Sequence, residues 1–157
     1  MHTMNNLVIT HYLFPAELFA EAQPHVVSTV LGSCVAVCLY DTKLQIGGIN
    51  HYMLPLWNGT GLASPKYGNI AIIKLLERME KLGSNKANLV AKVFGGGNVL
   101  NKTGSSSSFS IGKRNAQLAL DMLAEHKIPI IAQSLGGNHG RQILFNTQTN
   151  EVRQKYV

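Results

Sequence analysis

Cys34 and His51 are the two side chains of this 157-residue sequence whose types and setting could carry out acyl chemistry. Cys34 follows Gly32-Ser33, where two segments rich in β-branched residues, Val26–Leu31 and Val35–Tyr40, meet. A bend led by glycine leaves the N–H groups around Gly32 and Ser33 able to point at a developing oxyanion. His51 stands in a strand-like run, Gly47–Met53, that a short return would lay beside the Cys34 segment. An ordinary thiol of pKa ~8.5 is only a few per cent ionised at neutral pH, and an adjacent imidazole or set of backbone dipoles raises that fraction. Such a thiol would attack a carbonyl, the imidazole would hand a proton to the leaving amine, and water would clear the thioester. A free strand cysteine is more often core than nucleophile, so residue types alone leave both readings open. For Cys38, set among Val35, Val37 and Leu39, the core reading is the stronger.

The elements that must position this pair follow from local patterning. A short strand is predicted near Leu7–His11, then irregular chain, then the strand, kink and strand of Val26–Leu31 and Val35–Tyr40. Trp57–Tyr67 is loop by composition, and Asn69–Leu82 carries a helical apolar stripe with Gly83 as its stop. Asn88–Phe94 is a strand running into Gly95-Gly96-Gly97-Asn98, and Asn101–Ser108 is a polar, flexible loop. Asn115–His126 is a second helix, Ile128–Ala132 a strand, and Gln142–Phe145 with Glu151–Tyr156 a closing hairpin. The sum is about seven strands and two helices in one α+β domain spanning 1–157, with residues 1–25 the least defined part. Two helices are too few to cover both faces of a parallel sheet.

Composition narrows the function classes. Hydrophobic content of 45% and charged content of 14% suit a chain with a packed core. No run approaches the ~20 apolar residues of a membrane span, and the first ten residues lack the pattern of a secretory signal, so a cytoplasmic location is expected. On one strand, Cys34 and Cys38 would have Cα atoms about 13 Å apart, beyond the ~7 Å limit for a disulfide. The net charge of +6 is scattered, with no basic run or aromatic-basic ladder for nucleic acid. The six histidines form no HxH, HxxxH or CxxC unit, so neither a metal nor a cofactor is expected.

Other polar motifs read more simply. Gly95-Gly96-Gly97-Asn98 lacks the ending of a P-loop and reads as a tight turn, or as the border of a substrate groove. His139 and Arg141, in Gly136-Gly137-Asn138-His139-Gly140-Arg141, read as a solvated turn rather than as ligand contacts. Lys113 and Arg114 open the second helix, where cations are disfavoured by the dipole, and face either water or an acidic partner.

Thr29–Asp41 (TVLGSCVAVCLYD) and Gly47–Pro55 (GGINHYMLP) resemble the signature of the CheD family of chemoreceptor glutamine deamidases. The resemblance continues through Lys92–Gly96, Ile111–Asn115 and Gly136–Arg141, and so covers the chain from about residue 26 onward. It implies Cys34 as nucleophile, His51 as base, and a hydroxyl shortly before the cysteine that orients the imidazole. The family position for that hydroxyl holds Ser28, with Thr29 beside it as the fallback; strand parity through 28, 30, 32 and 34 favours Ser28. Gln133-Ser134 departs from the acidic residue expected there, and Asn150 replaces a turn glycine, which Asn tolerates.

The resemblance further implies hydrolysis of glutamine side chains to glutamate on the cytoplasmic helices of chemoreceptors, and in some members release of glutamyl methyl esters. Its implied fold is a layered α/β sandwich similar to deamidating toxins of the cytotoxic necrotising type. Binding to a CheC-type phosphatase is a family theme. The alternative is therefore a module that docks on receptors or on such a phosphatase with little turnover. A third reading is a thiol hydrolase of small amides.

Overall fold

Alternation of buried and exposed side chains sets the outer strands, and uninterrupted burial sets the central ones. The computed structural model describes residues 8–99 and 107–157. Strand β3 (Val26–Leu31) turns Val27, Thr29 and Leu31 inward and leaves Val30 exposed, whereas β4 (Val35–Asp41) is buried along its whole length. That difference follows from position. β4 lies inside a five-stranded sheet in the order β2 (Leu18–Ala20), β5 (Ile46–Asn50), β4, β6 (Leu89–Gly95), β7 (Ile130–Leu135). β3 lies in a four-stranded sheet in the order β1 (Thr10–Tyr12), β3, β8 (Arg141–Asn146), β9 (Val152–Tyr156). Each sheet is mixed: β1–β3 and β6–β7 are parallel pairs and the remaining pairs are antiparallel.

Two apolar clusters give the order of the layers. On one face of β4, Val35, Val37 and Leu39 pack with Ile72, Leu75 and Met79 of α1 (Gly68–Lys81) and with Ala119 and Leu123 of α2 (Ser107–Glu125). On the other, Ala36 and Cys38 pack with Ile49 and Phe94 and with Val27, Leu31, Ile143 and Phe145 of the four-stranded sheet. The helices therefore cover one face of the larger sheet and the smaller sheet covers the other. Among the described residues no helix is long and apolar enough to cross a membrane.

The α+β class stands, with nine strands among the described residues rather than about seven. The strand β2, three residues long, carries too short a pattern to be read from sequence. The predicted first strand is displaced: β1 is Thr10–Tyr12, and Leu7 lies outside the described residues. The polar stretch read as a loop over Asn101–Ser108 lies outside the described residues up to 106, and α2 already begins at Ser107, eight residues before the predicted helix start at Asn115. Serine is a modest helix former and the apolar stripe begins only later. Within α2, Gly112 lies close against the first glycine run: a Cβ there would overlap the carbonyl oxygen of Gly97.

Candidate functional site

The chain crosses from one sheet to the other between Leu31 and Val35, and Cys34 sits at the crossing. β4 and β5 are antiparallel, with Cys38 opposite Ile49, and the pairing extends to a bridge between Val35 and Tyr52 with N···O distances of 3.0 and 3.1 Å. This register puts Ala36 opposite His51, and Cys34, just before β4, packs against the same apolar cluster as Ala36 and Cys38. Where the ladder opens between these pairs, the Asn50 side chain accepts the Val37 N–H at 2.9 Å.

His51 is 1% exposed and is held from three sides. Its backbone N–H donates to Glu17 (3.1 Å) and its carbonyl accepts from Ala16 (2.8 Å), a residue bent to φ 70°. Its Nδ1 lies 2.7 Å from Thr29 Oγ1, and that hydroxyl donates its proton to the Leu13 carbonyl at 2.7 Å. A hydroxyl has one proton, so towards His51 it can only accept, and Nδ1 must carry the ring proton. Nε2 is thereby the bare acceptor. It is buried and without a hydrogen-bond partner among the described residues, an arrangement that costs about 1–3 kcal/mol when left unmade.

Thr29, and not Ser28, supplies this hydroxyl. Ser28 pairs with the exposed Leu144 of β8 on the outward face of its sheet, while its backbone carbonyl takes the Leu13 N–H. Parity counted through 28, 30, 32 and 34 fails because β3 ends at Leu31 and the bend resets the direction of Cys34.

Three consecutive peptide carbonyls of the bend are clamped. Gly97 N–H donates to Gly32 O at 2.9 Å, Asn115 Nδ2 to Ser33 O at 3.0 Å, and Gly96 N–H to Cys34 O at 2.9 Å. Among the described residues no backbone carbonyl takes the N–H of Ser33 or Cys34. Gly95, at φ 113°, admits this approach: a Cβ there would overlap the Cys34 carbonyl. The glycine run read as a turn or groove border is the backing of the bend that carries Cys34.

Asn115 was missed as a site residue. It is fully buried, its Nδ2 also donates to Met53 O at 3.0 Å, and its own carbonyl accepts the Tyr52 hydroxyl at 2.6 Å. Its signal was a lone amide on the helix face shared with Ala119 and Leu123.

The second glycine turn stacks on this backing, with Gly136 N–H to Gly95 O at 2.9 Å and Asn98 N–H to Gly137 O at 2.8 Å. Arg141 is not solvated, as the sequence suggested, but 1% exposed. It donates to the carbonyls of Ser134 and Gly136 and to the Ser134 hydroxyl, beneath the Tyr156 ring. Ser134 thus takes the place opposite Arg141 where an acidic residue had been expected. His139, Lys113 and Arg114 are exposed.

Burial lowers the pKa of His51 to about 4, so its imidazole is neutral at physiological pH. Burial raises the Cys34 thiol above its ordinary value, and its own backbone N–H acts in the opposite sense. The resting pair is therefore thiol and neutral imidazole rather than an ion pair. Cys38 is fully buried and its thiol is pushed far up by desolvation, against the small pull of Lys92. Cys34, half-buried, is the accessible thiol of the two.

Residues 53–156 match the family described as CheD chemotactic sensory transduction. The chain belongs to the CheD family. That match begins two residues after His51, and whole-chain likeness extends it over the site. A protein of Sulfurimonas denitrificans is 51% identical over 146 residues, 93% of this chain and 93% of its own. A span of that length in a 157-residue chain necessarily includes Thr29, Cys34 and His51. A protein of Trichlorobacter lovleyi is 51% identical over 142 residues, covering 90% and 87% of the two chains. One from Rhodospirillum rubrum is 42% identical over 149 residues, covering 95% and 83%. All three are named "Probable chemoreceptor glutamine deamidase CheD".

Proposed function

We propose that this CheD-family chain hydrolyses glutamine side-chain amides of chemoreceptors to glutamate, with Cys34 as nucleophile, His51 as base and Thr29 as the residue that orients the base. The observation that carries this reading is the tautomer of His51: Thr29 accepts at Nδ1, leaving a bare Nε2 on the sheet face it shares with Cys34.

In the proposed sequence Nε2 takes the thiol proton as Sγ bonds to the amide carbon, and the carbonyl oxygen becomes an oxyanion facing the N–H groups of Ser33 and Cys34. The imidazolium returns its proton to the amide nitrogen, the C–N bond breaks, and ammonia leaves a glutamyl thioester. Water then gives a proton to Nε2 and attacks the thioester. The C–S bond breaks, glutamate is released and the thiol is restored. The same thioester would form from a glutamyl methyl ester with methanol as leaving group, so ester hydrolysis belongs to the same proposal.

Residues 1–157 would act as a single deamidase domain in the cytoplasm, where receptor signalling helices lie, in a sandwich similar to that of the necrotising-type deamidating toxins. Docking to a CheC-type phosphatase fits the same proposal. The decisive measurement is intact mass of a receptor cytoplasmic fragment incubated with wild type and with Cys34→Ala. A gain of about one dalton per converted glutamine, seen only with Cys34 present, is the expected result. No mass change on a cognate receptor that still binds would leave a docking module instead, and activity on free amides alone would point to a small-molecule hydrolase.

A further inference from the structure

We propose that Asn115 is a positioning residue for the oxyanion site: by holding the Ser33 carbonyl it aims the Cys34 N–H at the reacting oxygen. The inference deepens the deamidase reading and rests on it.

In a trans peptide the C=O and the following N–H point in opposite directions, so fixing the oxygen of one unit fixes the aim of its N–H. The carbonyl of Ser33 and the N–H of Cys34 belong to one such unit. Asn115 Nδ2 pulls that carbonyl towards α2, with a donor–acceptor distance of 3.0 Å. The N–H must then face away from the helix layer, to the side of the sheet on which Cys34 and His51 lie. Gly97 and Gly96 fix the carbonyls of the preceding and following units, at Gly32 and Cys34, but neither touches the unit that carries the Cys34 N–H. Of these three clamps, Asn115 alone is a side chain and can be replaced without touching a glycine.

The same Nδ2 reaches Met53 O at 3.0 Å, two residues beyond His51. One amide group therefore ties the bend that carries Cys34 to the segment that follows His51. A bond to the carbonyl also polarises the peptide and strengthens its N–H as a donor. Asn115 does this from complete burial, so it acts on the substrate only through the peptide it holds.

The test separates oxyanion stabilisation from thiol chemistry. Asn115→Leu keeps the approximate shape but presents no donor, and Asn115→Ala removes the group. Steady-state deamidation of a receptor fragment and alkylation of Cys34 by iodoacetamide are measured for both variants, with thermal midpoints. Alkylation is a displacement that builds no oxyanion. The expected result is kcat lower by about a hundredfold, with KM and the alkylation rate each within about twofold of wild type.

Unchanged kcat in a folded variant overturns the proposal. So does a parallel loss of kcat and alkylation, or unfolding of both variants at the assay temperature, since each makes Asn115 a structural tie only. Cys34→Ala run alongside keeps the two readings apart: if it still deamidates, the thiol mechanism itself falls, and if it is inactive while Asn115→Ala is not, only the role of Asn115 falls.

Discussion

Thr29 Oγ1 stands 2.7 Å from His51 Nδ1 and spends its single proton on the Leu13 carbonyl, so it holds the imidazole as an acceptor holds a donor. This bond decides which ring nitrogen is bare. It also explains why the segment before β3 belongs to the site, since Leu13, Ala16 and Glu17 all bond to Thr29 or His51.

Thr29→Val keeps the shape and removes the acceptor, freeing the ring to rotate or change tautomer. Deamidation should fall by about ten- to a hundredfold, within the range assigned to a positioned base, while Thr29→Ser should retain most of the rate. Ser28→Ala should leave the rate within about twofold, because that hydroxyl lies on the outward face. Equal losses at 28 and 29 would contradict the assignment; kcat/KM on a receptor fragment reads both.

The pH profile should show where His51 titrates. In the proposed mechanism His51 accepts a proton only when neutral, and burial lowers its pKa to about 4, so kcat/KM should hold level down to roughly pH 5 and then fall as pH drops through that pKa. An acid limb centred near the ordinary histidine value of ~6.5 would contradict the burial argument. Because the Cys34 thiol is raised by burial, its alkylation rate should go on climbing past the pH range in which an exposed cysteine levels off.

Gly95→Ala should be the most damaging added methyl among the described glycines. The residue sits at φ 113° and the new Cβ would meet the Cys34 carbonyl. A loss of about 2 kcal/mol or more in denaturant unfolding is expected, with activity falling further than stability alone accounts for. Gly59→Ala, also at positive φ but with open space around it, should cost about 1 kcal/mol and leave activity unchanged.

Asp41 ends β4 and gathers four hydrogen bonds, from the N–H groups of Lys43, Leu44 and Asn85 and the hydroxyl of Ser84. Burial alone would raise its pKa, but the bonds from Leu44, Ser84, Lys43 and Asn85 outweigh it and hold the carboxyl below its ordinary value. A depressed carboxyl stabilises the fold above its unfolded pKa of ~3.9 and loses that contribution as pH falls through the folded value. Asp41→Ala should therefore cost about 2–3 kcal/mol at pH 7, and its gap from wild type should narrow below pH ~4. Urea unfolding at pH 7 and pH 3 measures both.

What the amino-acid sequence determined by itself is local: the glycine-led bend before Cys34, the strands on either side, the short return that brings His51 alongside, and two amphipathic helices. Each depends on neighbours within some twenty residues, and backbone preference with apolar periodicity is enough to read them. The choice between Ser28 and Thr29 was not local. It depended on the chain leaving one sheet for the other at Gly32, which cancels any parity counted across the bend. Nor could spacing bring Asn115 to Ser33 across 82 positions, or bury Arg141 beneath the second glycine turn. Those contacts exist because helices and the smaller sheet close over opposite faces of β4, and only the packed layers decide which polar groups meet there.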